Sequence, residues 1–344
     1  MNQRRHFQNY IVKLLLIENE MMKMILLITN KEDITVDFIV QKLKARGCSY
    51  YRLNTEDIPN IVNVRFSISD HKYELYDQTK KCCIDLDTVS AVYFRRPKIS
   101  TLEYISAIDN YERQYLRNEL SFLIEGIYKT LRHAFWVNNV YKIREAENKI
   151  LQLQIAQEIG FTIPYSVISN CVDSVQAVFT KHPGGCITKP IKSGYMGISD
   201  DSKVIFTSEI DNDCLRESER IKAFPLFIQE KVNKGYDIRC IVVGEKTFAA
   251  KIDSQESVDG KTDWRKTNDF LPHDRIDLPY EIHKKAILIT QRLGLTYSAI
   301  DFVLDKNGKY VFLECNPNGQ WAWIEKRLGY PISDSIVDAL QEGG

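Results

Sequence analysis

The stretch richest in possible chemistry is Ser298–Asn316, SAIDFVLDKNGKYVFLECN. It carries Asp301, Glu314 and Asn316 around Asn307-Gly308, the dipeptide that a two-residue type I′ hairpin turn prefers. With that turn Lys306 opposes Lys309, and Asp301 stands across from Glu314 with Cβ atoms about 5 Å apart. Asn316 falls two residues further along the same face. The other face collects Ile300, Phe302, Leu304, Val311, Leu313 and Cys315, an apolar set fit for a core, while the acids share theirs with Val303 and Phe312. Two opposed carboxylates repel unless a cation lies between them. Mg²⁺ takes oxygen ligands at about 2.0–2.1 Å and fills its shell with water and phosphate oxygens. Two readings therefore stand for these residues alone: a divalent-metal site on a rigid hairpin, or a solvated acidic face.

Cationic groups suited to phosphates lie upstream. Lys149 follows Glu147-Asn148 in a helical run, and Lys189 ends the strand-like Cys186-Ile187-Thr188-Lys189. The loop Lys192-Ser193-Gly194-Tyr195-Met196-Gly197 comes next, with glycines that would let backbone approach phosphate oxygens. Taken singly, each lysine also reads as a solvated surface charge. Neither GxxxxGK[ST] nor GxGxxG occurs at the matching place, which disfavours the P-loop and dinucleotide folds. Phe227-Ile228-Gln229-Glu230-Lys231-Val232 reads as an extended run, and Gly235-Tyr236-Asp237-Ile238-Arg239 as a turn entering a strand with charges at its mouth. A charge-protected sheet edge has the same pattern. Asp263-Trp264-Arg265 sits in a polar loop, and Phe94-Arg95-Arg96-Pro97 puts two guanidiniums at a strand end, where open α/β sheets tend to hold ligands.

The elements that must carry these groups can be read from periodicity. Met24–Thr29, MILLIT, is a continuous apolar run of the buried-strand kind. Ile34, Phe38, Ile39 and Leu43 follow at helical spacing before Gly47, and strands are expected at Ser49–Leu53, Arg65–Ser69, Tyr73–Tyr76 and Val89–Phe94. Tyr111–Arg132 is predicted as a helix with Leu116, Leu120, Leu123, Ile124, Ile127 and Leu131 on its core face. A second helix is expected near Ile143–Ile159, ending at Gly160. Strands and turns then prevail, with a further helix at Ile282–Leu293 and the hairpin Tyr297–Cys315. The fold class is α/β, turning α+β in the C-terminal half.

Composition sets outer limits. The 344 residues suggest about two domains or slightly more. Lys+Arg and Asp+Glu both number 46, so no basic excess exists for binding nucleic acid. Eight cysteines form no CxxC pair and no His cluster joins them, which disfavours zinc. Arg4, Arg5 and His6 precede the apolar Ile11–Ile17, but Lys13 interrupts that run and Glu18-Asn19-Glu20 follows without a cleavage site. Residues 1–22 are read as an N-terminal extension. No membrane association and a reducing, cytoplasmic setting are the expectations.

In order along the chain, Lys149, Thr188-Lys189-Pro190, Gln229-Glu230-Lys231-Val232, Asp237-Ile238-Arg239, Asp301 and Glu314-Cys315-Asn316 resemble the ATP-grasp ligase superfamily. Tyr93-Phe94-Arg95-Arg96-Pro97, Trp136-Val137-Asn138, Lys251–Gln255, Asp263-Trp264-Arg265 and Asn316–Trp321 are similar to its peptide-modifying members that make microviridins and other graspetides. The resemblance implies an ATP-grasp fold behind an N-terminal pre-ATP-grasp α/β domain. Its segments would be 23–137 for that domain, 138–218 for a central lid subdomain with an ATP-covering loop, and 219–344 for the C-terminal subdomain with the metal hairpin.

Carried over, Lys149 and Lys189 contact ATP phosphates, and Gln229, Glu230, Lys231 and Val232 form the adenine hinge, mainly through backbone. Asp237 lies near the ribose. Arg239, Arg265 and Lys189 are the catalytic cations, and Asp301, Glu314 and Asn316 hold Mg²⁺. Arg95, Arg96 and Asp263 are candidates for substrate contacts. The implied activity is ADP-forming ligation of Asp or Glu side chains of a ribosomal precursor peptide, leader plus core, to Thr, Ser or Lys side chains, giving macrocyclic ω-esters or ω-amides. A homodimer is also implied. The rivals are a ligase adding free amino acids to a C-terminus and a catalytically inactive nucleotide-binding scaffold.

Overall fold

Six residues of MILLIT leave no polar face for water, and the strand they form lies inside a sheet. In the computed structural model, which describes residues 23–192, 195–196, 203–257, 260–266 and 271–344, β1 (Met24–Thr29) is flanked on both sides. The sheet is parallel throughout, in the order β2 (Tyr50–Asn54), β1, β6 (Val89–Phe94), β7 (Phe135–Val137). Between β1 and β2 runs α1 (Thr35–Ala45), which buries Val36, Ile39 and Leu43. An antiparallel meander of β3 (Val62–Ser67), β4 (Lys72–Asp77) and β5 (Cys82–Asp85) separates β2 from β6.

The long helix α2 (Asn110–Thr130) opens on a reciprocal cap, with Asp109 accepting from the Glu112 backbone N–H and Glu112 accepting from that of Asp109. Its apolar face is narrower than the periodicity predicts. Ile124, Ile127 and Tyr128 are buried, whereas Leu116, Leu120 and Leu123 are only half-buried. Over its first thirteen residues Tyr111, Tyr115 and Phe122 are 88%, 63% and 77% exposed.

The chain divides into two units, one reaching to Val140 and including Ser333–Gly344, the other Tyr141–Ile332. The last helix therefore leaves the 219–344 segment expected from sequence. Lys42 and Arg46 of α1 pair with its Asp334, and Arg46 also with its Asp338. Residues 1–22, read as an extension, lie outside the described residues, as do Ser193, Gly194 and Gly197 of the glycine loop.

Where one helix was expected near 143–159, two form: α3 (Val140–Ala146) and α4 (Lys149–Ile159). The break is the work of Asn148, whose Oδ1 accepts from the backbone N–H groups of Ile150 and Leu151 and so starts a new helix. Lys149 thereby becomes the first residue of α4. Beyond it come β8 (Ser166–Ser169), the unpredicted α5 (Val172–Lys181), β9 (Cys186–Thr188), the short β10 (Tyr195–Met196) and β11 (Lys203–Val204), β12 (Ser208–Ile210), α6 (Ser218–Ala223) and β13 (Leu226–Glu230). They build an antiparallel sheet β12-β9-β13-β8 over a small core of Val175, Val178, Cys186, Ile221 and Ile228.

A five-stranded antiparallel sheet follows: β16 (His273–Arg275), β15 (Lys246–Ile252), β14 (Lys234–Val243), β17 (Tyr297–Asp305) and β18 (Tyr310–Asn316), in that order. Ile289 of α7 (Tyr280–Arg292), Ile155 and Ala156 of α4 and Phe161 share one core with Ile300, Phe302, Phe312 and Cys315. The chain then enters α8 (Ala322–Leu328) and α9 (Ile332–Gly343).

The β17–β18 hairpin corrects the turn expected from Asn307-Gly308. Asp305 and Lys309 bracket it: the Asp305 N–H donates to Lys309 O, and the Asp305 side chain accepts from the backbone N–H groups of Asn307 and Lys309. Gly308, at φ +79°, occupies the left-handed position such a loop requires. Leu304 then faces Tyr310, one residue off the register of a two-residue turn. A bulge at Leu313 takes up the offset, so that Phe302 faces Phe312 while Asp301 still faces Glu314. The bulge also exchanges faces. Phe312, expected beside the acids, is in the core, and Leu313, expected in the core, lines the cavity with Val303.

Candidate active site

Three neighbouring strands bring a row of charges abreast: Arg239 on β14 faces Asp301 on β17, which faces Glu314 on β18. Nη1 of Arg239 donates to both oxygens of Asp301, at 2.7 and 2.8 Å. Both side chains are nearly enclosed, at 7% and 10% exposure. Lys149 Nζ, at the start of α4, is 3.4 Å from Glu314 Oε2 and donates to the Pro190 carbonyl at 3.0 Å. Arg265 Nη1 is 3.2 Å from the other Glu314 oxygen. Its Nε and Nη2 grip Asp263 in a two-point contact at 2.9 and 3.0 Å, so Asp263 aims Arg265 rather than facing solvent.

An open cavity of about 740 Å³ lies over this row. Lys189, Gln229, Glu230, Lys231, Val232 and Asp237 line it from β9, β13 and β14, together with Asp263, Arg265, Asp301 and Glu314. Lys149 and Asn316 are not among its lining residues. Asn316 faces Ala299, and its Oδ1 accepts from the Asn318 N–H. Gln229 is buried and donates to the Ser166 hydroxyl, while Asp237 is held by Lys234 Nζ and the Ser254 hydroxyl. The Glu230 carboxylate engages the Tyr165 N–H and His182.

Burial and neighbours push the two opposed acids apart. Burial raises the Asp301 carboxyl above the usual carboxylate range, with Glu314 adding to the rise and Arg239 resisting it. Burial acts on Glu314 too, but Lys149, Arg265, Lys189 and Arg239 outweigh it and hold that group below the usual carboxylate range. Lys189 is lowered to about 8, chiefly by burial, with Lys149 and Arg265 adding repulsion. Asp237 is raised by burial against the pull of Lys234 and Ser254. Despite burial, Arg265 keeps Asp263 below the usual carboxylate range.

The donor set fits a hard cation: two carboxylates and an amide oxygen from one hairpin face, amid guanidinium and ammonium groups. Among the described residues no cluster of three or more His, Cys, Asp or Glu side chains offers another metal site. Sequence reasoning passed over Lys234, His182 and Tyr165, and quoted Trp264 without giving it a role. A lysine three residues before Asp237 was a usable signal for the first. The Trp264 ring, 6.0 Å from the Arg239 guanidinium, and the His182 cluster depend on contacts that no spacing encodes.

Residues 146–340 match the RimK-like ATP-grasp domain. The chain belongs to the RimK-like ATP-grasp family. Residues 24–144 match a second model, the MvdD pre-ATP grasp domain. As an ATP-grasp ligase the protein is an ADP-forming carboxylate ligase that uses ATP and Mg²⁺. Among its relatives, a probable alpha-L-glutamate ligase of Picosynechococcus sp. is 23% identical over 211 residues, 61% of this chain and 68% of that protein. Three solved structures extend the likeness along most of the chain. The macrocyclase MdnC of Microcystis aeruginosa, bound with precursor peptide MdnA, is 26% identical with a TM-score of 0.80, covering 93% of this chain and 99% of its own. A Chryseobacterium gregarium RiPP-associated ATP-grasp ligase, in complex with ADP and a leader and core peptide, is 25% identical with a TM-score of 0.84, covering 94% and 97%. The macrocyclase MdnB of Microcystis aeruginosa is 28% identical with a TM-score of 0.75, covering 92% and 99%.

Proposed function

We propose that this ATP-grasp ligase joins Asp or Glu side chains of a ribosomally made precursor peptide to its Thr, Ser or Lys side chains, closing macrocyclic ω-ester or ω-amide links. One observation carries the reading. The likeness to peptide macrocyclases spans more than nine-tenths of the chain, pre-ATP-grasp domain included, whereas the glutamate ligases match over 61% of it. In this reading a peptide carboxylate attacks the γ-phosphorus of ATP, and the bond to the ADP oxygen breaks. A hydroxyl or amine of the same peptide then attacks the acyl carbon and expels phosphate. No protein nucleophile is needed, and charge neutralisation carries the catalysis.

The residues divide that work. Lys149 and Lys189 approach the phosphates, and Arg239 and Arg265 offset charge on the side facing Asp301 and Glu314. Gln229, Glu230, Lys231 and Val232 border the adenine, with Asp237 toward the ribose. Asp301, Glu314 and Asn316 would hold Mg²⁺, which when bound neutralises phosphate charge. Asp263 acts on the substrate side by orienting Arg265. Arg96, exposed at the end of β6, is free of the burial that encloses Arg95 and is the better candidate for peptide carboxylates.

Mass spectrometry of the cognate peptide with enzyme, ATP and Mg²⁺ tests the reading: each link lowers the peptide mass by one water. A gain of one amino acid residue would favour the second reading, terminal addition, which the glutamate ligases support.

A homodimer and a cytoplasmic setting complete the proposal. Tyr111, Tyr115 and Phe122 form one exposed stripe on α2, with Asn118 on the same face, and would pack against the same stripe of a second copy across a two-fold axis. Light scattering at the mass of one chain, 40.0 kDa, would refute the dimer. All eight cysteines are free thiols, as a reducing compartment favours, and no helix among the described residues is long and apolar enough to cross a membrane.

A further inference from the structure

The ladder between β13 and the segment leading into β8 departs from its own pattern at Glu230. Leu226 pairs with Ser169 and Ile228 with Val167, and the same register sets Glu230 opposite Tyr165. Such a pair exchanges two hydrogen bonds, each N–H reaching the other carbonyl. The first is present, from Glu230 N to Tyr165 O at 2.9 Å. The return bond goes elsewhere: Tyr165 N donates to Oε1 of the Glu230 side chain, also at 2.9 Å. The carboxylate has taken the place of its own residue's carbonyl, which has no backbone partner among the described residues.

A second group fixes that carboxylate. Glu230 Oε2 lies 2.8 Å from Nδ1 of His182, at the C-terminal end of α5. The imidazole stacks on the Tyr165 ring with centroids 4.8 Å apart, and Lys181 Nζ lies 3.8 Å from that ring's centre. His182 Nε2 is buried without a hydrogen-bond partner, so the Glu230 carboxylate is the polar contact of the ring. The hinge is pinned on its other side by Lys231 N, which donates to Gly185 O at 3.0 Å.

We propose that His182 and the Glu230 carboxylate select the nucleobase: by occupying the Tyr165 N–H they leave the carbonyl of Glu230, a residue of the cavity lining, to accept the 6-amino group of adenine. This rests on the ATP site proposed above. Both are positioning residues, since neither side chain touches the reacting atoms. A base with an oxo group at that place, such as hypoxanthine, sets acceptor against acceptor. Without the carboxylate, the Tyr165 N–H returns to the carbonyl, and the advantage of the amino group shrinks.

Steady-state kinetics with ATP and ITP read this directly, alongside circular dichroism to verify folding. The wild type should prefer ATP by about tenfold or more in kcat/KM. His182→Phe should raise KM for ATP about three- to tenfold with kcat and the KM for ITP nearly unchanged. His182→Gln, whose amide can donate to the same oxygen, should restore much of the preference. Equal shifts for both nucleotides in the variants would indicate a merely structural pair and overturn the proposal. A wild type that saturates with ATP yet uses ITP equally overturns it without any variant, leaving the ATP site standing. A wild type that saturates with neither removes the ATP site as well.

Discussion

Each unit of the protein buries an Arg–Asp pair on a sheet, and the two pairs live in opposite surroundings. In the first unit Arg95, at the end of parallel strand β6, is 2% exposed and meets Asp33 at 2.9 Å. In the second, Arg239 and Asp301 are almost as deeply placed, on antiparallel strands, but Glu314 faces Asp301 and a cavity opens above. The end of a parallel sheet is the usual place for a ligand. Here that place holds a buried Arg–Asp ion pair. The working charges stand where a second carboxylate has been added, met by Lys149 and Arg265 beside an open cavity.

The largest expected effect breaks the second region. Glu314→Gln keeps shape and removes the charge that Lys149 and Arg265 share, so turnover should fall about 10²- to 10³-fold with little change in thermal stability. Initial rates of ADP release beside a melting curve check both halves. A large fall in melting temperature with turnover preserved would make Glu314 a structural anion.

Breaking the first pair should do the reverse. Arg95→Ala leaves the Asp33 carboxylate buried without its partner, which costs about 3–5 kcal/mol of stability. Urea denaturation measures that loss, and the folded fraction should retain its KM for ATP. Loss of peptide turnover at unchanged stability would instead show that the guanidinium reaches substrate, as the resemblance suggested.

Much of the second region was legible because sheet periodicity and the order of charged residues are local signals. Asp301 opposite Glu314 was predicted correctly through two offsetting departures, a longer turn and a bulge at Leu313. The turn escaped the dipeptide rule because the Asp305 side chain competes for the loop's N–H groups, as Asp commonly does. The break at Asn148 was written in the sequence as an N-cap residue but masked by the apolar periodicity on both sides of it. The exposed half of α2 and the enclosure of Arg95 were not legible. Both depend on which distant surfaces come to cover a helix face or a strand end, and a periodic pattern names a face without naming its partner. For the same reason the Glu230–His182 contact had no signature, since its residues lie 48 positions apart and neither belongs to a recognisable spacing.

A smaller and more graded effect separates the regions by pH. Lys189 borders the cavity with its Nζ 4.8 Å from the centre of the Phe227 ring on β13. Lys149 of α4 and Arg265 of the loop face it as like charges, and Asp263 and Glu314 of β18 face it as opposite ones. Burial and the like charges prevail, so that the ammonium is half deprotonated at about pH 8. Phosphate binds the charged form, hence affinity for ATP should be level below that pH and decline above it. A plot of log KM for ATP over about pH 7 to 9.5 should bend upward past the lysine's pKa, approaching a slope of one. Lys189→Arg, charged throughout, should give a flat plot in the same range. A bend that survives in the arginine variant would assign the titration to another group, and a flat wild-type plot would take Lys189 away from the phosphates altogether.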